Sequence, residues 1–347
     1  MERVAFVQAG FGFFGEGWTD LLLRSDSVEL CAVVDPSEEA RKRFEKRFGD
    51  RGIPFFSTLQ EALKNTNPQA VLIVAPNAAH REIAEEALAS HLHVLSEKPL
   101  ADTWRNALAI YTAWVQSPQQ VYVVSQNYRF RPEIRALKKA LAEKLGGEIA
   151  YVTYEFHEAL QLGGWRTSME HPLLADMSIH HFDILRFVLG QEAESVRMES
   201  TNPSWSPFQG DAVAAGTIVF SPGILVHYFG SWVTRGYRTG WNGIIRFFGG
   251  EGTLSLENDR LFFEGKEGRR EEILFTRYET DGRVFVVEEF VAAIRSGKEP
   301  ETSLSDNIKT FALACAAVES AKRGEKVELR YYFEELSQKP SGQKSCR

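Results

Sequence analysis

The first fifteen residues place the strongest constraint on what this chain can fold into. Residues 4–7 are apolar, and they lead into a turn that contains Gly10, Gly12 and Gly15 before a helical pattern over residues 16–24. A strand, a glycine turn and a helix in this order direct free backbone N–H groups and the positive end of the helix toward a phosphate. Gly10 would permit the tight turn, Gly12 would let phosphates approach the backbone, and Gly15 would let helix and strand close on each other. The segment therefore predicts a site for the pyrophosphate of a dinucleotide.

An acidic residue follows at the distance that a dinucleotide site needs. A second apolar strand over residues 28–34 ends in Asp35, twenty residues after Gly15. A carboxylate here can accept hydrogen bonds from the ribose hydroxyls of the adenosine, and it would oppose the 2′-phosphate of NADP by roughly 1–4 kcal/mol at about 4 Å. Arg41 and Arg43 lie within the next predicted helix, where they are less well placed to bind that phosphate. The pattern favours NAD over NADP.

The composition is that of an ordinary soluble globular protein. The chain has 347 residues, of which 44% are hydrophobic and 25% charged, which is enough for roughly two domains. The net charge of −7 argues against a nucleic-acid surface and against binding to anionic membranes. The sequence begins with a strand rather than a basic and apolar leader, and no apolar stretch approaches the roughly 18 residues that span a bilayer. Cys31, Cys315 and Cys346 are best explained as thiols, so we expect a cytoplasmic protein.

Strands alternate with helices from residue 1 to about residue 125. Apolar β-type segments occur at residues 3–8, 29–34, 70–75, 92–95 and 121–124. Such alternation predicts right-handed crossovers and a parallel sheet that is covered on both faces. Ligands of such sheets bind beyond the carboxyl ends of the strands, an edge that would carry the glycine turn, Asp35 and the turns at residues 75–77 and 96–99. We assign residues 1–127 to this first domain.

The character of the sequence changes after a helix predicted at residues 132–145. Longer β-type segments begin at residue 151 and continue to residue 275 with short turns between some of them, which predicts a largely antiparallel sheet. One helix interrupts this sheet and two follow it, at residues 173–189, 284–296 and 305–323. We assign residues 128–335 to this second, α+β domain. Residues 336–347 are polar and are predicted to form a disordered tail.

Glu97, Lys98 and Pro99 follow a predicted strand at the edge where a nicotinamide would reach. Considered without the other motifs, Lys98 is more simply explained as a surface lysine before a proline turn. The functional alternative is an ammonium group that donates hydrogen bonds to a substrate oxygen and stabilises the alkoxide-like state that develops as hydride leaves. Proline after Lys98 restricts the lysine backbone to extended geometry, which would aim the side chain consistently.

A second group of polar residues lies in the segment 176–183, Asp-Met-Ser-Ile-His-His-Phe-Asp. On an α-helix Asp176, His180 and Asp183 fall within about 60° of one another, and apolar residues cluster on the opposite face. A histidine flanked by carboxylates suits a general base, but the same pattern also describes a solvated polar face. A metal site is a third alternative, although His181 lies roughly 100° from His180, so the two imidazoles cannot easily share an ion. No metal is predicted.

The order of these motifs resembles that of the Gfo/Idh/MocA oxidoreductases. The resemblance rests on the glycine turn, Glu97-Lys98-Pro99, Asn127-Tyr128-Arg129-Phe130, Trp165-Arg166 and the spacing of Asp176 and His180. It covers nearly the whole chain and implies a Rossmann domain followed by an open-faced α/β domain whose sheet commonly forms a dimer interface, with two dimers often making a tetramer. Carried over by position, it implies that Lys98, Asp176 and His180 are the catalytic residues.

The resemblance implies a dehydrogenase that uses NAD and acts on a secondary hydroxyl of a sugar, cyclitol or sugar-acid derivative, or reduces the matching ketone. His180 would take the hydroxyl proton while hydride leaves the same carbon, Lys98 would polarise the oxygen, and Asp176 would orient His180. Either nitrogen base could take the proton. The residues assigned to the cofactor are Gly10, Gly12, Phe13, Phe14, Gly15, Asp35, Pro76, Asn77, Glu97 and Lys98.

The substrate side of the site is less defined. Trp165 and Arg166 could stack on and hydrogen-bond a sugar or form a packed loop, and the resemblance favours the substrate. The other substrate candidates are Arg129, His157 and His171, and the two histidines are equally well explained as surface or solvent-facing residues. Many relatives carry consecutive glycines before the Asp/His helix, where this chain has Glu-His-Pro-Leu-Leu at residues 170–174. Bulkier groups there should reshape the substrate site, so the resemblance does not name the substrate.

Two other functions are compatible with the same motifs. A redox-assisted enzyme would retain NAD and use transient oxidation to acidify a neighbouring C–H bond for elimination and glycosidic cleavage. A non-catalytic regulator would keep the dinucleotide site and bind a protein partner, and the presence of Lys98, Asp176 and His180 weighs against it. The expected partners are therefore a small polyol or sugar and further copies of the chain, bound through the sheet of the second domain.

Overall fold

The computed structural model describes residues 2–159 and 164–337, and the chain divides into two compact units. Unit 1 comprises the chain up to Asn127 together with Thr280–Ile308. Unit 2 comprises Tyr128–Glu279 together with the residues that follow Ile308. Within the described residues, no helix combines the length and the apolar character that a bilayer crossing requires.

Unit 1 is built on a six-stranded parallel sheet. Its strands are β1 (Val4–Ala9), β2 (Val28–Val34), β3 (Phe55–Phe56), β4 (Ala70–Ile73), β5 (His93–Ser96) and β6 (Tyr122–Val124). The helices that connect them are α1 (Phe13–Arg24), α2 (Glu38–Phe48), α3 (Leu59–Asn65), α4 (His80–Ala89) and α5 (Trp104–Val115). The strand order is β3-β2-β1-β4-β5-β6, which confirms the predicted parallel, doubly wound sheet.

The centre of this sheet is buried on both faces. All four residues of β4 have no exposed surface, as a parallel strand between two helical layers requires. The short elements β3 and α3 are absent from the prediction because two and seven residues are too few to establish a periodicity. The Thr58 side chain accepts a hydrogen bond from the N–H of Glu61 and caps α3.

Unit 2 is built on a nine-stranded sheet. Helix α6 (Pro132–Ala142) precedes the strands, and α7 (Ser178–Leu189) follows the first of them. The strands are β7 (Ile149–His157), β8 (Ala193–Thr201), β9 (Val213–Phe220), β10 (Ile224–Ser231), β11 (Ile244–Gly249), β12 (Gly252–Glu257), β13 (Arg260–Gly265), β14 (Arg270–Ile273) and β15 (Val327–Glu328). Their order is β14-β13-β12-β11-β7-β10-β9-β8-β15. The central strands β7 and β10 run parallel, whereas the other recorded pairings are antiparallel, so the sheet is mostly antiparallel as predicted.

The two faces of this sheet differ in burial. Tyr154 and Phe156 of β7 are fully buried, and the His181 ring of α7 lies 4.7 and 4.6 Å from their rings, so α7 covers this face. On the opposite face Tyr151 and Leu225 are paired across β7 and β10 and are 49% and 45% exposed. One face therefore carries the core of unit 2, and the other is open.

The C-terminal elements return to both units. Helix α8 (Gly282–Ser296) belongs to unit 1, and α9 (Leu304–Arg323) begins in unit 1 and continues into unit 2, where α10 (Arg330–Ser337) follows β15. The prediction assigned residues 280–308 to the second domain, but they pack in unit 1: the Val124 N–H donates to the Thr302 carbonyl, and the Phe290 ring lies 5.6 Å from that of Phe6. The predicted tail begins at residue 336, which lies in α10, and its remainder, residues 338–347, lies outside the described residues.

Candidate active site

The three glycines of the first turn differ in what surrounds them. Gly10 has a φ of +106°, and a Cβ there would stand 2.6 Å from the backbone of Val74 and Ala75. A Cβ on Gly15 would stand 2.6 Å from the Gly10 carbonyl oxygen, whereas a Cβ on Gly12 would meet nothing within 4 Å. Two glycines therefore permit close packing, and Gly12 borders open space. Helix α1 begins directly after Gly12, and the first N–H groups of a helix have no acceptor within it, so the turn fits a pyrophosphate.

Two aromatic side chains stand beside this turn. Phe13 is 89% exposed and Phe14 is 48% exposed, and their rings meet edge to face at 5.7 Å. They are the first two residues of α1, and their assignment to the cofactor stays a prediction.

The carboxylate of Asp35 is tied to the same turn. Its Oδ2 accepts a hydrogen bond from the Phe11 N–H at 2.8 Å, and its Oδ1 accepts one from the Ser37 N–H at 2.8 Å. Arg43 of α2 also reaches this turn, because its Nη2 donates to the Phe11 carbonyl at 3.0 Å. Arg41 instead donates to the Phe55 carbonyl. An acid and a guanidinium group therefore both bind the backbone of Phe11, just beyond the end of β1.

Gln8 is a supporting residue that the sequence motifs do not predict. It is fully buried, and its Nε2 donates to the carbonyls of Gly10 and Gly15 at 2.9 Å each. Its Oε1 accepts from the Thr19 hydroxyl at 3.0 Å. One side chain thus holds both ends of the glycine turn. The signal in the sequence is an amide residue inside an otherwise apolar strand that leads into glycines.

His80 is a second supporting residue that was not predicted. A 3₁₀ turn at Asn77–Ala79 follows Pro76 and leads into α4, which begins with the buried His80. The Nε2 atom of His80 lies 3.0 Å from the Ala75 carbonyl oxygen, and its Nδ1 atom lies 3.3 Å from that of Leu100. Burial lowers the pKa of this imidazole, against the raising effect of those carbonyls. His80 therefore joins the turn that carries Pro76 and Asn77 to the turn that follows β5.

Glu97 anchors the turn that carries Lys98. Its Oε1 accepts from the Trp18 indole N–H at 2.8 Å, and its Oε2 accepts from the backbone N–H of Lys98 at 3.0 Å. Burial raises the pKa of Glu97, and the nearby ammonium of Lys98 partly offsets this. The peptide bond between Lys98 and Pro99 is cis, and Lys98 is half-buried. The backbone of Lys98 is thus held by the carboxylate of its neighbour in the sequence as well as by β5.

The segment with Asp176 and His180 does not form one regular α-helix. Leu173–Met177 is a π-helical turn in which the Ser178 N–H bonds to the Leu173 carbonyl, and α7 begins only at Ser178. The predicted angle of at most about 60° between Asp176 and His180 is wrong in its premise, because it assumes 100° per residue and the π-turn departs from that value. Such π-turns occur often at functional sites.

The carboxylates of this segment are paired with arginines. Asp176 accepts from Arg166 Nε at 2.8 Å, and the Asp176 side chain is 4% exposed. Asp183 binds Arg129 through both carboxylate oxygens, at 2.7 and 2.6 Å, with side chains that are 1% and 4% exposed. The predicted arrangement of one histidine between two carboxylates is therefore wrong for Asp183, whose partner is Arg129. The buried pair also places the Arg129 guanidinium inside unit 2, which differs from the predicted substrate role.

The two histidines of α7 have different surroundings. His180 is 5% exposed, and its ring is stacked on that of Tyr128 at 4.1 Å between centroids. His181 is fully buried with its Nδ1 2.9 Å from the Tyr228 hydroxyl. Burial, with a smaller effect of the Arg131 charge, lowers the pKa of His181 to about 3. His181 is therefore neutral at physiological pH, and His180 is the histidine of α7 that remains for proton transfer.

The remaining substrate candidates lie around unit 2. His157 ends β7, and its half-buried ring is stacked on Phe229 at 5.1 Å. His171 is 7% exposed with its Nδ1 3.3 Å from the Ser200 hydroxyl, and burial lowers its pKa. Neither histidine is thus a fully solvated surface group. The backbone of Trp165 lies in a 3₁₀ turn at Gly164–Ser168, and its side chain lies outside the described part of the structure.

No metal centre is formed by the described residues. Within residues 2–159 and 164–337, there is no group of three or more histidine, cysteine, aspartate or glutamate side chains that could hold an ion.

Comparison with known proteins agrees with these features. A family model described as "Oxidoreductase family, NAD-binding Rossmann fold" matches residues 3–125, and one described as "GFO/IDH/MocA C-terminal domain" matches residues 134–255. D-apiose dehydrogenase of Paraburkholderia graminis is 26% identical over 350 residues, which cover 95% of this chain and 91% of that protein. Inositol 2-dehydrogenase of Pseudarthrobacter chlorophenolicus is 25% identical over 339 residues, which cover 94% of this chain and 96% of that protein.

A solved structure shows the same fold over almost the whole chain. An oxidoreductase from Agrobacterium radiobacter, crystallised in complex with NAD+, L-tartaric acid and magnesium, superimposes with a TM-score of 0.87 at 22% identity. The match covers 95% of this chain and 99% of that one. With both domains matched in order by the family models, the chain belongs to the Gfo/Idh/MocA family of oxidoreductases.

Proposed function

We propose that this protein is an NAD-dependent dehydrogenase that oxidises a secondary hydroxyl of a sugar, cyclitol or sugar-acid derivative, or reduces the matching ketone. The observation that carries the proposal is the glycine turn, whose Gly12 borders open space at the start of α1 while Asp35 binds the N–H of Phe11. The relatives named D-apiose dehydrogenase and inositol 2-dehydrogenase support the substrate class.

Unit 1 supplies the residues proposed to hold the dinucleotide. When bound, its nicotinamide supplies the acceptor or donor of a hydride. Asp35 is proposed to bind the adenosine ribose and to disfavour NADP, because two negative charges would otherwise meet. The set proposed to contact the cofactor is Gly10, Gly12, Phe13, Phe14, Gly15, Asp35, Pro76, Asn77, Glu97 and Lys98.

The catalytic roles are proposed for one residue of unit 1 and two of unit 2. His180 accepts the proton of the substrate hydroxyl, which a positioned base accelerates by about 10²–10⁴. The Lys98 ammonium donates a hydrogen bond to the same oxygen and stabilises the charge that develops on it. Asp176, held by Arg166, lies in the π-turn before His180, and its proposed role is to orient His180. In the reverse direction His180 returns the proton to the oxygen.

Four of the five predicted substrate residues keep that proposed role, and Arg129 does not. Trp165, Arg166, His157 and His171 remain the proposed substrate residues. Arg129 is assigned to its buried pair with Asp183 instead, since both carboxylate oxygens of Asp183 bind that guanidinium.

A substrate panel tests the proposal. Polyols, sugars and sugar acids are incubated with NAD or NADP, and reduced nicotinamide is followed by absorbance. We expect turnover with NAD that Lys98→Met and His180→Gln each reduce by at least about 10²-fold without loss of NAD binding. His91→Asn, an exposed position with a φ of +61° that asparagine tolerates, is the matched control and should keep full activity.

Two results would contradict the dehydrogenase. Cleavage of a glycoside without net change in nicotinamide absorbance would instead assign the redox-assisted elimination. Binding of NAD with no turnover of any compound, unaffected by Lys98→Met, would assign a non-catalytic role.

Assembly through the open face of unit 2 is part of the proposal. Tyr151 and Leu225 expose apolar surface there, and the Tyr151 ring is stacked on Phe248 at 4.6 Å. We expect a homodimer or homotetramer by light scattering, and Leu225→Lys should reduce it to smaller species. A cytoplasmic location is proposed because Cys31 and Cys315 are both free thiols.

A further inference from the structure

His180 rests on a stack of two other side chains. Tyr128 lies in a 3₁₀ turn at Asn127–Phe130, and Arg131 follows it directly before the start of α6. The rings of Tyr128 and His180 are nearly parallel, with an angle of 12° and 4.1 Å between centroids. The guanidinium carbon of Arg131 stands 3.3 Å from the centroid of the same tyrosine ring.

The two contacts must lie on opposite faces of Tyr128. If the guanidinium and the imidazole both stood over one face at these distances, their atoms would overlap, because non-bonded carbon atoms keep about 3.5–4.0 Å apart. The order of the stack is therefore guanidinium, phenol ring, imidazole. The charge of Arg131 is separated from His180 by a single aromatic ring.

An amide rather than a carboxylate holds Arg131 in place. Its Nη1 donates to Asn242 Oδ1 at 2.7 Å, and Asn242 is 1% exposed. The Asn242 amide in turn donates to Glu133 Oε1 at 2.6 Å and to Asp259 Oδ1 at 2.7 Å. Among the described residues, no carboxylate oxygen lies within ion-pair distance of Arg131. The Arg131 charge is thus fixed in position, but Glu133 and Asp259 bind Asn242 rather than the guanidinium itself.

The other charged groups of α7 and of the π-turn before it are matched in pairs. Asp176 binds Arg166, Asp183 binds Arg129, and Arg186 binds Glu192 at 2.7 Å. With those charges offset by direct partners, the field of Arg131 acts on the helix through Tyr128.

Two titratable residues of the sheet, Tyr154 and Tyr228, contact α7, and both are uncharged. Burial raises the pKa of Tyr154 and of Tyr228, and burial with the Arg131 charge lowers that of His181 to about 3. The effect on His181 indicates that the Arg131 charge acts on α7.

We propose that Tyr128 and Arg131 are positioning residues for His180, Tyr128 by fixing the plane of the imidazole and Arg131 by keeping it uncharged, as a proton acceptor must be. This inference rests on the proposed function of His180 as the base. A positive charge one ring away disfavours a second positive charge on the imidazole. The planar guanidinium suits this stack better than an ammonium group would, since it lies flat on an aromatic face.

A histidine NMR titration of the full chain tests the charge effect directly. With imidazole ¹³C labelling, the His180 signal is assigned by its loss in His180→Gln. We expect His180 in the wild-type protein to titrate below the ordinary histidine value of about 6.5. Arg131→Met should raise the His180 value by about one pH unit, whereas Arg131→Lys, which keeps the charge, should stay near the wild-type value.

Arg135→Met is the matched control. Arg135 lies one turn further along α6, and its guanidinium stands over Phe130 and Phe187, at 4.7 and 5.1 Å, rather than over Tyr128. Its removal should leave the His180 titration unchanged. A wild-type value at or above about 6.5, or no rise in Arg131→Met, would overturn the proposal.

Activity then separates this inference from the proposed function. If a substrate is found, the pKa that governs the acid side of its kcat/KM profile should rise in Arg131→Met by the same amount as the His180 pKa measured by NMR. If no compound is turned over but the titration shifts, the proposed function fails, whereas the effect of the Arg131 charge on the His180 pKa stands. If turnover occurs and neither the titration nor the pH profile shifts, the positioning role fails alone.

Discussion

The carboxylate of Asp35 accepts a hydrogen bond from the backbone N–H of Phe11, with 2.8 Å between oxygen and nitrogen. The acid that follows β2 therefore also fixes the turn that follows β1. Since the same carboxylate is proposed to contact the ribose, the shape of the phosphate turn and the choice of cofactor depend on one side chain.

Replacing Asp35 by asparagine separates these two roles. The asparagine side chain keeps one oxygen for the Phe11 N–H, gives up the hydrogen bond from the Ser37 N–H, and removes the charge that opposes a 2′-phosphate. We expect Asp35→Asn to raise the ratio of kcat/KM with NADP to that with NAD about tenfold, equivalent to about 1.4 kcal/mol. Arg43, which already lies at the Phe11 carbonyl, would favour the added phosphate. Steady-state kinetics with both cofactors measures the ratio, and Asp26→Asn at an exposed loop is the control. An unchanged ratio would show that Asp35 does not select the cofactor.

Alanine at Gly12 and at Gly10 should have different effects. Gly12 has a φ of −79° and open space around its Cβ direction, so Gly12→Ala should leave the melting temperature unchanged while weakening NAD binding. Gly10→Ala should lower both the melting temperature and the affinity for NAD. Its Cβ would clash with the backbone of Val74 and Ala75, and its φ is positive, which together cost roughly 1–3 kcal/mol. Thermal unfolding and NAD fluorescence titration measure the two quantities.

Gly52→Ala is the control for backbone strain. Gly52 has a φ of +68° but nothing within 4 Å of its Cβ direction, so its variant tests strain without a clash. A Gly12→Ala protein that binds NAD as well as the wild type would contradict the assignment of this turn to the pyrophosphate.

Arg129 should behave as a structural residue. In Arg129→Lys the planar fork that binds both oxygens of Asp183 is lost, so we expect the free energy of unfolding to fall by roughly 2–4 kcal/mol. Arg81→Lys, in an exposed pair with Glu85, should cost no more than about 0.5 kcal/mol. Urea unfolding compares the two. A raised KM in Arg129→Lys with no loss of stability would restore the substrate role that the sequence suggested.

His181 should make the protein sensitive to acid. Its pKa is about 3 in the folded state against an ordinary value of 6.5, so the unfolded chain binds the proton first as the pH falls. Stability from this group is therefore complete above pH 6.5 and declines below it, by up to about 1.4 kcal/mol per pH unit. His181→Gln should flatten the dependence of unfolding free energy on pH between 6.5 and the acid range. His91→Asn, at an exposed position away from the open face of the unit 2 sheet, should not, and equal slopes in both variants would argue against a buried neutral His181.

The parallel sheet of unit 1 was predictable because its signals are local. Apolar strands that alternate with helical patterns predict such a sheet, and β4 and β5 both lie within a residue or two of the predicted bounds. The parallel contact of β7 with β10 carries no such signal, because it joins strands about seventy residues apart by long-range packing. The return of residues 280–308 to unit 1 was missed for the same reason.

The candidate site was predictable in its residue types and less so in its pairings. The acid and histidine spacing predicts Asp176 and His180 as candidates, but helical angles calculated from sequence do not hold across the π-turn that precedes α7. Asp183 looked equivalent to Asp176, since both are acids near a histidine. Its partner Arg129 lies 54 residues earlier, and nothing in a local pattern connects the two.

The contribution of α8 to unit 1 has a practical consequence for anyone who wishes to dissect this enzyme. The polypeptide passes from one half to the other after Asn127, after Glu279 and again within α9, so no single cut releases either half intact. A gene fragment ending at Asn127 would deprive Phe6 of its neighbour Phe290 and leave the Val124 amide without the Thr302 carbonyl. Cofactor affinity is therefore best studied on the uncut polypeptide, or on a fusion that splices the later segment back on.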